Sequence, residues 1–331
     1  MSARSPRNKV RFWRSGRFAA IALGCSALAL IEITPLPTSA ERARAPYRIG
    51  VLNDARAANH PTVEGLKIGL RGLGLEEGRD VIFDVWITDA NPERMPAGAS
   101  ALVRAGVDLI VTSGVDATFA AKAATQSLPI VFTLVGDPVA AGLVKSLIHP
   151  GANLTGVSSL TTELVAKRLE ALKALAPGLR RVWAISPGPA IAGGSSAGGL
   201  VVVSRTVRTP DELERTLNEL RPGDGLLVPD SGTMDISAVL LEASLARRIP
   251  AVFSSELWVD HGGLVSYGAD YQAQGLQAAR LVAKILRGAH PENLPVESPG
   301  RMILAVNLKT AALLGVTAPR EILFRADVIR R

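Results

Sequence analysis

Short apolar runs alternate with amphipathic stretches along the chain from Tyr47 onward. Runs rich in β-branched residues predict buried strands, whereas apolar residues spaced three or four apart predict helices. In the first half these patterns predict strands at residues 48–52, 81–87, 108–112 and 128–135. Helices are predicted to begin at Pro61, at Asn91-Pro92 and at Asp116. Such an alternation is typical of βαβ units that build a parallel sheet.

The second half of the chain repeats this order of elements. Residues 249–265 align with residues 128–144 at a constant offset of 121, without a gap, and share Pro, Val-Phe and Gly-Leu-Val in register. Strands are predicted at residues 181–186 and 225–228, and helices from Thr209-Pro210 and over residues 236–248. A chain of 331 residues is too long for one hydrophobic core. We therefore predict an α/β protein with two doubly wound parallel-sheet lobes.

The second half departs from the first in one segment. In the first half 35 residues separate Ile49 from Asp84, whereas only 19 separate the corresponding Val182 from Val201. The shorter segment contains PGPAIAGGSSAGG, and glycine and serine at this density disfavour a helix. We therefore expect the second lobe to lack one helix and to have a flexible loop at residues 187–200.

Residues 1–40 have the composition of an export signal. Six basic residues precede an apolar run at residues 18–33, and prolines and small residues follow it. The run has about sixteen residues, fewer than the ~20 that a spanning helix needs, so we predict the signal peptide of a periplasmic protein. The alternatives are an uncleaved membrane anchor and a lipid-anchored form through Cys25. The lipid anchor is disfavoured because only about seven apolar residues precede Cys25.

Charge and histidine spacing argue against several other classes of protein. The chain has 37 basic and 30 acidic residues, but six of the basic and one of the acidic residues lie in residues 1–40, which leaves a net charge of +2 elsewhere. A nucleic-acid partner is therefore not expected, because nucleic-acid-binding proteins carry a basic surface. The histidines His60, His149, His261 and His290 lack the spacing of metal ligands. We predict no metal and no cofactor.

Small polar residues follow the predicted strands. Ligands of open parallel sheets bind beyond the carboxyl ends of the strands, where helix N-termini also point their free N–H groups. The candidate ligand-binding residues at these ends are Asn53, Asp54, Ser113, Gly114, Gly136 and Asp137 in the first half, and Asp230, Ser254, Ser255 and Glu256 in the second. The alternative for Asp137 is that its carboxylate only caps a turn.

One motif suggests catalysis instead of binding. Residues 194–198 match the G-x-S-x-G pattern, and Asp230 and His261 follow Ser196 in the order that an α/β-hydrolase requires. A nucleophile elbow needs a strand directly before the serine and a helix directly after it, but here a loop rich in proline and glycine precedes Ser196 and a strand-like run follows. We therefore expect that the protein is not an enzyme, and a secreted serine hydrolase is an alternative.

Several stretches of the sequence resemble one known family. They read GDPVAAGLV, PGANLTGVSS, GGLVSYGADYQAQGLQAARLVAKILRGAHPENLPVE, AVNLKTAALLGV and RADVIR. Together they resemble the ABC transporter substrate-binding proteins of the tryptophan/tyrosine type, from about Tyr47 to Arg330. The resemblance implies a type I periplasmic-binding fold, in which two lobes joined by a hinge enclose a small solute and deliver it to an ABC permease in the inner membrane.

The resemblance also implies how the chain is divided. In such a fold the chain crosses between the lobes several times, so each lobe is discontinuous. The first lobe is expected to contain residues 47–157 and about 270–300, and the second lobe residues 158–269 and about 301–331. Crossings are expected near residues 156–159 and 267–270.

An amino-acid-like molecule is the solute that the resemblance implies. Ser113, Gly114 and the nearby helix N-termini are expected to bind its carboxylate, and Asp137 and Glu256 are the candidates for its ammonium group. An extracytoplasmic sensor for a membrane signalling partner would use the same two lobes and is the other alternative.

Overall fold

The structure is a computed structural model that describes residues 45–53, 60–88, 91–160, 164–186, 199–228 and 236–331. The predicted signal peptide, residues 187–198 of the predicted loop, and the candidates Asp54 and Asp230 lie outside the described residues. Within the described ranges, no helix is both long enough and apolar enough to cross a membrane.

Strands and helices alternate along most of the chain. The strands are β1 (Tyr47–Asn53), β2 (Val81–Ile87), β3 (Leu109–Ser113), β4 (Ile130–Val135), β5 (Leu154–Ser158), β6 (Arg181–Ser186), β7 (Val201–Thr206), β8 (Asp224–Leu227), β9 (Ala251–Phe253), β10 (Val265–Ala269), β11 (Met302–Asn307) and β12 (Val328–Arg330). The α-helices are α1 (Pro61–Gly72), α2 (Met95–Arg104), α3 (Val115–Ala124), α4 (Val165–Leu175), α5 (Pro210–Asn218), α6 (Ile236–Arg247), α7 (Glu256–Asp260), α8 (Tyr271–Leu286), α9 (Leu308–Leu314) and α10 (Arg320–Arg325).

The first sheet has five parallel strands in the order β2-β1-β3-β4-β5. Alternate residues of a strand point to opposite faces, and both faces of this sheet are covered. On one face Ile49 and Val51 pack with residues of α1 and α8, and on the other Leu52 packs with residues of α2 and α3. The predicted two-sided, doubly wound arrangement is confirmed for this sheet.

The second sheet has seven strands in the order β12-β11-β10-β9-β8-β6-β7. Its core is also two-sided, since Val182 and Ala184 of β6 pack with α4, whereas Trp183 and Ile185 pack with α5 and α6. The strands β7, β6, β8, β9 and β10 are parallel, as predicted.

The far edge of the second sheet differs from the parallel arrangement that we predicted. Strand β11 runs antiparallel to β10, and β12 runs parallel to β11. The reason lies in the register, because Ala269, the last residue of β10, lies opposite Met302, the first residue of β11. The chain leaves and re-enters this sheet at the same end, so the two strands must point in opposite directions.

Helices α1 and α8 lie side by side and point in the same direction. A Cβ atom at Gly65 would lie 2.1 Å from the Gln272 carbonyl oxygen, and one at Gly275 would lie 2.1 Å from the Thr62 carbonyl oxygen. The two helix backbones therefore touch at positions that only glycine can occupy. This contact fixes α8 to the first sheet, although the preceding strand β10 belongs to the second.

Candidate ligand-binding site

The carboxyl ends of the first sheet bring three of the predicted residues together. Asn53 and Ser113 are partners in the β1–β3 register, and Gly114 follows Ser113 directly. Both side chains are buried, and the Ser113 hydroxyl lies 3.3 Å from the Thr133 hydroxyl of β4. Gly114 is half-buried, has a φ of 92°, and begins α3. Its left-handed backbone turns the chain so that the first N–H groups of α3 face this end of the sheet.

Asp137 follows β4 at the same end of the sheet and is half-buried. Its Oδ1 accepts from the N–H groups of Val139 (3.0 Å) and Ala140 (2.9 Å), so the carboxylate caps a turn. The Gly136 carbonyl accepts from the Ser158 hydroxyl at 3.0 Å. The geometry thus fits the turn-capping alternative for Asp137, while Oδ2 has no hydrogen-bond partner among the described residues.

The second sheet places Ser254, Ser255 and Glu256 beyond the end of β9. Ser255 is buried and caps α7, since its hydroxyl accepts from the Leu257 N–H at 3.3 Å. The Ser254 hydroxyl and Oε2 of Glu256 are buried and have no hydrogen-bond partner among the described residues. A buried carboxylate oxygen without a partner carries a large desolvation cost.

The surroundings of Glu256 raise its pKa. Burial and the nearby carboxylates of Asp270 and Asp260 raise the pKa of Glu256 to about 7, against the opposing effect of Arg301 and Arg330. Both arginines already have partners of their own. Arg301 lies 3.4 Å from the Asp270 carboxylate, and Arg330 lies 2.6 Å from that of Asp260.

A buried arginine beside these residues was missed by the sequence analysis. Arg168 of α4 is 1% exposed, and its Nε donates to the Tyr267 carbonyl at 2.7 Å. The neighbouring Gly268 leaves no room for a side chain, because a Cβ atom there would lie 1.6 Å from the Ser254 carbonyl oxygen. In the sequence Arg168 looks like one of the surface cations of an amphipathic helix, and no local signal shows that the helix turns it inward.

Within the described ranges, the hydrolase pattern and the histidines add nothing to the candidate site at the carboxyl ends of the strands. Ser196 and Asp230 of the hydrolase pattern lie outside the described residues, whereas His261 ends α7 with its Nδ1 2.6 Å from the Leu257 carbonyl oxygen. Among the residues that the structure describes, no group of His, Cys, Asp and Glu is arranged to hold a metal ion.

A cavity of about 850 Å³ lies at the opposite end of the second sheet, beside Leu179, Asp224 and Pro250, where β6, β8 and β9 begin.

The sequence and the fold are both similar to known proteins. Residues 53–329 match the family model described as ABC transporter substrate binding protein. The chain is similar to a tyrosine-binding protein of Clostridioides difficile (strain R20291), with 26% identity over 275 residues that cover 78% of this chain and 79% of that protein.

Two solved structures share the fold. A conserved domain protein of Vibrio cholerae O1 biovar El Tor is 30% identical with a TM-score of 0.76, over 86% of this chain and 99% of that one. An ABC domain in complex with L-Trp from Streptococcus pneumonia is 24% identical with a TM-score of 0.73, over 86% of this chain and 100% of that one. The family match runs from the last residue of β1 into β12 and includes all of the candidate strand ends. The chain belongs to the ABC transporter substrate binding protein family.

Proposed function

We propose that the protein captures an aromatic amino acid, with L-tyrosine as the first candidate, between its two lobes in the periplasm. The loaded protein then delivers the solute to the permease of an ABC importer in the inner membrane. Residues 1–40 act as the signal peptide. The observation that carries the proposal is the buried Glu256 oxygen, which has no hydrogen-bond partner in the part of the chain that the structure describes and lies beyond the carboxyl end of a strand, where solutes bind in parallel α/β sheets.

The first lobe supplies the groups that suit a carboxylate. Gly114 is half-buried, and the ten-residue helix α3 that it begins concentrates partial positive charge at its first turn. Free N–H groups at a helix N-terminus bind anions without a charged side chain. In our proposal the solute carboxylate binds here, next to Ser113.

The second lobe supplies the group that suits an ammonium ion. Within the described ranges Glu256 forms no ion pair, because the two arginines that act on it are paired with the neighbouring carboxylates of Asp270 and Asp260. A positive charge placed beside Glu256 would therefore be stabilised. Lobe closure would exclude water from this contact and strengthen it. Asp137 is the weaker candidate for this role, because its Oδ1 is already committed to a turn.

The relatives support this class of solute. The tyrosine-binding protein of Clostridioides difficile covers most of the chain at 26% identity, and its name states its solute. An amino acid also uses both kinds of group described above, whereas the hydroxyl groups of a neutral sugar could donate to Glu256 but would bring no positive charge to balance it.

The test is a solute panel applied to the processed protein purified from the periplasm. We expect L-tyrosine or L-tryptophan to raise the melting temperature, since a ligand present at 100 times its Kd stabilises the folded state by about 2.7 kcal/mol. Tyramine lacks the carboxylate and 3-(4-hydroxyphenyl)propionate lacks the ammonium group, so both should act much more weakly. Stabilisation by a sugar, with no effect of any amino acid, would contradict the proposal.

A further inference from the structure

Three segments carry the chain between the two sheets, and hydrogen bonds link all three to the start of α8, the first of them only through Glu297 and β4. The first segment follows β5, the second joins β10 to α8, and the third precedes β11. Asp270, Gln274 and Gln277 are spaced four and three residues apart, which places them on one face of the helix. All three are buried. We call them the α8 polar face.

Asp270 joins the second segment to the third. Its N–H donates to the Arg301 carbonyl at 3.1 Å, and its Oδ2 lies 3.4 Å from Nη1 of Arg301. Its Oδ1 accepts from the Ala273 N–H at 2.9 Å and so caps α8. The start of α8 and the segment before β11 are therefore fixed to each other.

Gln277 joins α8 to the third segment and, through Glu297, to the first. Its Oε1 accepts from the Gly300 N–H at 2.7 Å, and its Nε2 donates to the Ser298 carbonyl at 3.0 Å and to Oε2 of Glu297 at 3.1 Å. The Glu297 carbonyl accepts from the Ser158 N–H at the end of β5, at 2.9 Å.

Gln274 reaches a strained residue in the strand next to β5. Its Oε1 accepts from the Leu134 N–H at 3.2 Å. Leu134 has a φ of 57°, a left-handed conformation that is unfavourable for leucine, and the β4–β5 register shifts between Phe132 and Val135. A bulge leaves its extra residue without a ladder partner. Gln274 supplies the acceptor that the bulge requires.

The bulge lies directly before the carboxyl end of β4, where the candidate binding residues begin. The Val135 carbonyl accepts from the Ser159 N–H at 2.8 Å, where the first segment leaves the sheet. Gly136 and Asp137 follow Val135 in the chain. The position of Leu134 therefore affects both the exit of the first segment and a candidate binding turn.

We propose that the α8 polar face sets the resting angle between the two lobes, with Gln274 as the positioning residue that holds the Leu134 bulge. A strained backbone conformation persists only while its surroundings hold it. The Nε2 group of Gln274 is buried and has no hydrogen-bond partner among the described residues. Leu134 directly precedes Val135, whose carbonyl holds the first segment through the Ser159 N–H, so loss of the contact would shift that segment where it leaves the sheet.

The test measures the distance between the lobes in the protein without solute. Spin labels are placed at Arg71→Cys on α1 and Glu242→Cys on α6, both exposed positions, in a Cys25→Ser background. Pulsed electron paramagnetic resonance then gives the distance distribution. We expect Gln274→Met, which removes the acceptor at nearly the same volume, to shift the mean distance by more than the width of the parent distribution. Gln274→Glu keeps an acceptor oxygen and should restore the parent distribution.

Ser244→Ala is the matched control for lost stability. The Ser244 hydroxyl is buried in α6 and donates to the Ile249 carbonyl at 2.7 Å, away from the crossing segments. We expect this variant to lower the melting temperature without changing the distance distribution. The proposal is overturned if Gln274→Met behaves like Ser244→Ala, with a lower melting temperature and an unchanged distance.

Leu134→Gly tests the same contact without removing a hydrogen bond. Glycine adopts positive φ without strain and also allows the bulge to relax to other conformations. We expect Leu134→Gly to broaden the distance distribution. Its melting temperature should fall less than that of Ser244→Ala. An unchanged distribution in Leu134→Gly would also overturn the proposal, and this variant decides the question if Gln274→Met does not fold.

Discussion

The carboxylate of Glu256 lies near those of Asp270 and Asp260, and its buried Oε2 accepts no hydrogen bond from any residue in the described ranges. Its pKa is about 7 in the folded protein, against the ordinary value of 4.5 that applies in the unfolded chain. Between pH 4.5 and pH 7 the Glu256 carboxyl group is ionised in the unfolded chain but still protonated in the folded protein. The stability of the protein without solute therefore falls as the pH rises from 4.5 to 7, and this loss is complete above pH 7.

Replacing Glu256 should stabilise the protein while it weakens binding. We expect Glu256→Gln to raise the melting temperature at pH 8 by about 2 °C, the shift that roughly 1 kcal/mol produces in a protein of this size. At pH 4, where both states are protonated, the two proteins should melt together. Scanning calorimetry measures the effect, and the exposed Glu292→Gln is the control. An equal loss of stability at both pH values would contradict this account of Glu256.

The proposed role of the same carboxyl group would link solute binding to pH. In our proposal the ammonium group binds to ionised Glu256, so a proton must leave when the solute binds below pH 7. We expect the affinity for L-tyrosine to fall about tenfold for each pH unit below 7. Titration calorimetry in buffers of different ionisation enthalpy should detect one released proton, and Glu256→Gln should abolish both effects.

His60 should act on stability in the opposite direction. Burial lowers its pKa to about 4 from the ordinary 6.5, so its contribution to stability is present above pH 6.5 and is lost as the pH falls towards 4. We expect the free energy of unfolding to fall between pH 7 and pH 5 by about 1–2 kcal/mol less in His60→Asn, which keeps an N-cap for α1, than in the parent protein. Urea unfolding at both pH values checks this, with the exposed His290→Asn as the control.

At the scale of elements, the α1–α8 contact depends on the absence of side chains. A Cβ atom at Gly65 would lie 2.1 Å from the Gln272 carbonyl oxygen, whereas one at Gly72, in the same helix, would meet nothing within 4 Å. We expect Gly65→Ala to lower the free energy of unfolding by about 1–3 kcal/mol. Gly72→Ala should be neutral or stabilising, because alanine favours the helix. Equal effects of the two substitutions in urea unfolding would contradict this contact.

At the scale of the whole molecule, solute binding should make the protein more compact. The chain belongs to a family of substrate-binding proteins, and in our proposal the solute joins groups from both lobes. We expect L-tyrosine to reduce the radius of gyration in small-angle X-ray scattering of the parent protein. Glu256→Gln should keep the larger radius at the same solute concentration, because one of the two contacts is missing. A radius that does not change when the parent protein is saturated would argue against closure.

Most of the helices and strands, and their division between two parallel-sheet lobes, were predictable from local patterns in the sequence. Residues 81–87 and 181–186 form strands with the predicted bounds, and the helices after Thr209 and from Ile236 begin as predicted. Periodicity and capping are properties of neighbouring residues, so a local reading suffices for them. The positions of the polar residues after the strands were also predictable, since the strand bounds fix which residues follow them, but the burial of Asn53 and Ser113 was not.

The strand directions at one edge of the second sheet, and the surroundings of each polar group, depend on contacts between distant parts of the chain. The direction of β11 follows from its return at Met302, and the burial of Arg168 follows from the packing of α4 on the second sheet. Gln274 and Leu134 are 140 residues apart, yet one supplies the acceptor for the other. Hydrogen bonding, burial and pKa depend on groups that the fold brings from distant parts of the chain, and no local pattern contains them.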